Sequence, residues 1–280
     1  MTTAPRPRFS VHLGISEAVE ETPYDGVPEH LLEPLRQWVG TNFTEHDPDA
    51  TAICLQLRIA VPPNKSARSR LITAGGWELL DLVDTILGYT GEHDWDGRDD
   101  DRSLARLLDR AGSAYQVNDR GDGLEERITP GVREAVSQAV ADAEAKPSAG
   151  SAAEHLSISW RAAYGLHPDP VRAYSEAIKA VECAAHSVIQ PNHGRATLGT
   201  MLGEIKNARA KFTTAISTSP NGDPIAPMEA MMRALWDGQT SRHGKQTGTV
   251  PETLEAARAG VHLAAALVQW FTSGAVVRTP

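Results

Sequence analysis

Asp169–Ile189 reads DPVRAYSEAIKAVECAAHSVI. Proline suits the first helical position, where its missing N–H is not needed, and the aspartate before it is a ready N-cap. Behind them Tyr174, Ile178, Val181, Ala185 and Val188 recur at intervals of 4, 3, 4 and 3. That spacing places all five on one face of a packed helix, whereas a strand would scatter them over two. Gln190-Pro-Asn-His-Gly194 stops the helix.

Working outward, the rest of the second half has the same period. A helix is expected over 152–164, closed by Gly165, with others over 197–216 and 224–236. The last, over 251–273, carries Leu254, Ala257, Val261, Ala264, Val268 and Phe271 at intervals of 3, 4, 3, 4 and 3. Glu252 and Glu255 near its start suit the positive end of the helix dipole. Short connections between such helices imply an antiparallel bundle.

The first half is more varied. Residues 28–43 are expected to be helical, with Leu31, Leu32, Leu35 and Val39 on one side. Residues 51–61 alternate like a strand but also suit a buried helix. Residues 76–88 are expected to form a helix with Trp77, Leu80, Val83, Ile86 and Leu87 inward, followed by an acidic loop over 93–101 and a helix from Ser103 to Ala111. Asn118-Asp-Arg-Gly-Asp-Gly123 between two short apolar runs signals a β-hairpin, and Thr129-Pro130 opens another helix. The fold class is therefore mainly α.

Charge divides the chain unevenly. The formal net charge is −9, with 15 Lys and Arg against 26 Asp and Glu in residues 1–150 and 12 against 10 in the remainder. The acidic half repels nucleic acid, so a polyanionic ligand meets the second half or the basic run from Arg58 to Arg70. The charge shift coincides with Lys146-Pro-Ser-Ala-Gly-Ser151, which places a domain boundary between 149 and 150. No apolar run suits a membrane span or a signal peptide, and Cys54 and Cys183 lie in apolar runs as reduced thiols, so the expected location is the cytoplasm.

The stretch Ser241-Arg-His-Gly-Lys245 carries the most suggestive chemistry. A neutral imidazole at His243 can take the proton of a ribose 2′-hydroxyl, while Arg242 holds the phosphate and the charge that develops on it. The plain alternative is a polar turn whose Arg and His bond to backbone. On the 169–189 helix, Ser175, Lys179, Glu182 and His186 form a polar stripe beside the apolar face. From there Glu182 can orient His243 or pair with Arg242. Alternatively it pairs with His186 on a solvated face. Lys179, His186 and Lys245 are the candidate nucleic-acid contacts, and Arg242, His243 and Glu182 the candidate catalytic set.

Other chemistry finds less support. The acidic 93–101 stretch misses the spacing of an EF-hand loop. No HxxxH or CxxC pair, phosphate-binding glycine loop or nucleophile elbow is present, so neither a metal site nor a cofactor is expected. The six tryptophans suit core positions better than a base-stacking platform.

An ordered series of motifs resembles a known family. It comprises W-x-LLDLVD-x-IL (77–87), LLD-x-AGSAY-x-V with its hairpin and I-TP (107–130), HL-x-x-x-W-x-x-AYG (155–165), AYSEAIKAVE (173–182), TLG (197–199) and LW…RHG (235–244). Together these resemble bacterial proteins in which an AbiJ-type abortive-infection N-terminal domain precedes a HEPN-like helical domain. The resemblance implies an acidic helical domain with a small β-hairpin over 1–149 and an antiparallel HEPN-like bundle over 150–280. It also implies a role in anti-phage defence, a homodimer, RNA as ligand, and a phage or host protein as trigger. HEPN-like domains are often RNases with Arg-x(4–6)-His at the start of the last helix. Here Arg242 and His243 are adjacent, and Arg258 and His262 leave only three residues between them. Two readings follow: a metal-independent endoribonuclease, or a non-catalytic interaction and dimerisation module.

Overall fold

The computed structural model describes residue 15 and residues 23–92, 98–219, 222–241 and 248–279. The fold is mainly α, and the chain divides into two compact units at the Arg127–Ile128 bond.

In the first unit, α1 (Glu29–Thr41) buries Leu31, Leu35, Trp38 and Val39. The ambiguous 51–61 stretch is helical over 51–56, within α2 (Pro48–Gln56), whose N-terminus is capped by the Asp47 side chain accepting from the Asp49 amide, and it leaves the helix over 57–61. A capped Asp-Pro start outweighs the alternation. Ile53 and Cys54 are buried while Leu55 is 76% exposed, a helical rather than a strand pattern. The helix closes with Arg58 in the left-handed region at φ 55°. Ser66 caps the short α3 (Ala67–Leu71).

Helix α4 (Gly76–Glu92) outruns the expected 76–88 span and buries Leu79, Leu80, Leu82, Val83, Ile86 and Leu87. Trp77, expected inward, is 49% exposed; it lies on the first turn, edge-on to Tyr115 at 6.0 Å. Helix α5 (Arg98–Ala111) begins inside the stretch expected as a loop. Residues 93–97 lie outside the described residues. Strands β1 (Tyr115–Val117) and β2 (Leu124–Glu126) form the expected hairpin. The Asn118 side chain accepts from the Arg120 and Asp122 amides within the turn, and Asp84 accepts from the Leu124 amide at 2.6 Å.

The second unit takes in α6 (Pro130–Glu144), α7 (Ala152–Tyr164), α8 (Pro170–Ile189), α9 (Leu198–Asn207), α10 (Ala226–Asp237) and α11 (Leu254–Ser273). Here the packing differs from the boundary expected at 149/150. Val136, Ala139 and Ala143 of α6 are buried in the same core as α7, α8 and α11. Lys146 donates to the carbonyls of Phe271 and Thr272 at the end of α11. The charge shift marks a change of surface; the packing unit starts earlier. Helices α7 and α8 bury Ala152, Ala163, Ala173, Ala177, Ala180 and Ala184, small side chains that let helices approach closely.

Two boundaries follow local signals closely. Helix α7 stops before Gly165, and α8 starts at Pro170, with Asp169 accepting from the Arg172 amide at 3.0 Å. Helix α9 instead ends at Asn207, not near 216. Its continuation turns through Arg209–Lys211 into β3 (Phe212–Thr214), which pairs antiparallel with β4 (Val276–Arg278). Among the described residues no helix is long and apolar enough to cross a membrane.

Candidate functional site

Arg242, His243 and Lys245 lie outside the described residues. Ser241, just before them, is fastened: its amide and its hydroxyl each donate to Glu252 Oε1 at 2.9 Å. Thr240 donates to the Val250 carbonyl at 2.7 Å. Glu252 is only 6% exposed. Burial works against its charge, yet the hydrogen bonds from Ser241 and Thr240 prevail and hold the carboxyl below its ordinary range.

The polar stripe on α8 divides into two. Glu182 Oε1 accepts from the Leu198 amide at 2.6 Å, so this carboxylate caps α9. Burial pushes its carboxyl above the ordinary range, against the pull of that bond and of the Lys179 and His155 charges. His186 Nε2 bonds to the His193 carbonyl at 3.1 Å, in the turn after α8, rather than to Glu182. Lys179 donates to Glu176 Oε1 at 2.7 Å, and Glu176 Oε2 lies 2.6 Å from His155 Nδ1 on α7. The structure therefore brings Lys179 to a histidine that the stripe does not include, while Glu182 and His186 each serve a backbone group.

A second constellation lies between α7 and α11. Arg258 and His262 are one helical turn apart on α11, so their side chains stack on one face. The Tyr164 hydroxyl at the end of α7 and His262 Nε2 share a hydrogen bond of 2.7 Å. The Arg258 guanidinium sits 4.7 Å from the centre of the Tyr164 ring, a cation–π contact, and its Nε donates to the Ala163 carbonyl. Trp160 closes the group, its ring 4.4 Å from that of Tyr164 and edge-on to His262 at 5.9 Å. Burial, then the Arg258 charge, pushes His262 below the ordinary histidine range, which favours the neutral imidazole at pH 7. A neutral imidazole beside a guanidinium can accept a proton while the cation steadies developing negative charge.

Counting residues between Arg258 and His262 sets the pair aside, because three intervening residues fall short of the expected four to six. Counting turns would have kept it, since residues four apart on a helix are neighbours. Tyr164 and His155 both stand in the HL-x-x-x-W-x-x-AYG stretch, and their tertiary partners give them their significance. Among the described residues no group of three His, Cys, Asp or Glu side chains is placed to hold a metal ion. The chain matches no protein-family model, no curated protein and no solved structure.

Proposed function

We propose that the protein is a cytoplasmic, homodimeric abortive-infection effector whose second unit binds RNA and cleaves it without a metal. The observation that carries the chemistry is the 2.7 Å contact between Tyr164 and a His262 held toward neutrality, with Arg258 one turn away. In this reading the Nε2–H of His262 donates to the Tyr164 oxygen, and the free Nδ1 removes the proton of a ribose 2′-hydroxyl. The freed oxygen attacks the adjacent phosphorus and the P–O5′ bond breaks. The 5′-oxygen takes up a proton, and a 2′,3′-cyclic phosphate is left. Arg258 steadies the charge on the phosphate. The defence role rests on the motif series, and Arg242 and His243 stay in the proposal as the second Arg–His pair.

A non-catalytic reading draws on a different observation. Arg258 supports the end of α7 through the Ala163 carbonyl, and Glu182 and His186 both tie backbone groups. These are packing tasks, which suit a non-catalytic interaction module.

The deciding experiment incubates the protein with total tRNA and mRNA beside His262→Ala, Arg258→Ala and His243→Ala variants. Loss of a general base lowers cleavage by roughly 10²–10⁴-fold. A deficit of that size in His262→Ala and Arg258→Ala, with cyclic-phosphate ends in the wild-type products, supports the nuclease. Equal RNA loss with all four proteins, or none with any, leaves the module reading.

A further inference from the structure

Between α7 and α8 lies a cluster that the proposed chemistry does not use. His155 Nδ1 is 2.6 Å from Glu176 Oε2, and Lys179 Nζ is 2.7 Å from Glu176 Oε1. One carboxylate thus holds an imidazole and an ammonium, one on each oxygen. The Glu176 side chain is 13% exposed, His155 24% and Lys179 47%. Burial disfavours charge on Glu176, but the bonds from Lys179 and His155 prevail and keep the carboxyl below its ordinary range. An ionised carboxylate only accepts, so Nδ1 of His155 is the donor and carries a proton. The other ring nitrogen, Nε2, has no hydrogen-bond partner among the described residues and is not one of their enclosed polar atoms.

Glu182 also feels both Lys179 and His155, but its Oε1 is turned to the Leu198 amide of α9. Beyond the shared carboxylate, Nε2 of His155 and the remaining N–H groups of Lys179 Nζ are left for a ligand on partly exposed side chains. Two such donors suit an oxyanion carrying more than one negative charge. A dianion seated against Nε2 favours a proton on that nitrogen.

We propose that His155 and Lys179, positioned by Glu176, form a binding site for a phosphoryl dianion, either inorganic phosphate or the terminal phosphate of a nucleotide. The site does not rest on the nuclease reading. His155 and Tyr164 are about two and a half turns apart on α7, which places them on opposite sides of the helix.

The test follows the His155 ring signals by NMR in the full chain, assigned with a His155→Gln variant. Inorganic phosphate, AMP, adenosine and a hydroxyl-ended RNA oligonucleotide are titrated at constant ionic strength. The expected result is a saturable shift of His155 with phosphate and AMP, absent with adenosine. Lys179→Gln and Glu176→Gln each weaken it by about tenfold or more. Lys179 is half exposed, so its substitution leaves the fold intact, and the Lys179 arm does not depend on Glu176→Gln folding. Three results each overturn the proposal: no saturable shift, a shift shared by the other histidines, or unchanged binding in Lys179→Gln. A response to the hydroxyl-ended RNA alone overturns it too, in favour of a strand-binding surface.

Discussion

Glu182 reaches from the middle of α8 to the first amide of α9, with its Oε1 2.6 Å from the Leu198 nitrogen. This bond, with that from the Thr200 hydroxyl to Gln190, ties the start of α9 to α8, and it is made by a carboxyl that burial pushes upward. A folded-state value above the unfolded one means that the charged form opposes folding once the pH exceeds both. Glutamine keeps the accepting oxygen and removes the charge. Glu182→Gln is therefore expected to raise the melting temperature at pH 7 and to lose that advantage at pH 4, in thermal scans at both values. A drop at pH 7 would show that the charge itself is needed.

Glu252 is expected to behave oppositely. Its carboxyl is held low by Ser241 and Thr240, so its stabilising effect is present at neutral pH and fades as the pH falls through its folded value. Glu252→Ala strands the Ser241 amide and hydroxyl and should cost about 1–3 kcal/mol by urea denaturation at pH 7. Unchanged stability would mean that water replaces the carboxylate without loss.

The Tyr174 ring lies between two glycines. A β-carbon built on Gly260 would come within 2.9 Å of the ring, and one on Gly238 within 2.1 Å of its hydroxyl. Alanine within a helix ordinarily gains about 1 kcal/mol over glycine. Here overpacking, at about 1–3 kcal/mol, should reverse that gain, so Gly260→Ala destabilises. Combining it with Tyr174→Leu should recover part of the loss, which a double-mutant cycle measures.

His262 supplies a pH signature independent of RNA. Its imidazole binds a proton less readily in the folded chain than in the unfolded one. Stability is then full above the ordinary histidine value, near 6.5, and declines as the pH drops below it. Melting curves between pH 5 and 8 should show a steeper acid decline in the wild type than in His262→Gln. Parallel curves would assign the decline to other groups.

Where a helix begins or ends on a neighbouring cap, the sequence suffices. Gly165 and Asp169-Pro170 are such signals, and α7 and α8 follow them. Where the deciding partner is distant, the signal is lost. Nothing local ends α9 at Asn207; Phe212 leaves the helix period because it pairs with Arg278 across the β3–β4 ribbon. Trp77 was expected inward from period alone, yet it lies on the first turn of α4 with Tyr115 at its edge. The same limit applies to the candidate sites. Lys179 is visible as part of a stripe, but its link to His155 depends on the register of two antiparallel helices. Val188 packs partly buried against the core at the end of the apolar face of α8, and the adjacent Ile189, which the period leaves out, is fully buried beside it.

The β3–β4 ribbon has a bearing on how the molecule comes into being. Arg278 lies over the Phe212 ring and donates to the carbonyl of Ile189, 89 positions upstream. A ribosome makes the receiving surfaces well before it makes the arginine that covers them. Until then Phe212 has neither its strand partner nor the guanidinium that lies over its ring, so the ribbon is among the last contacts the second unit can make.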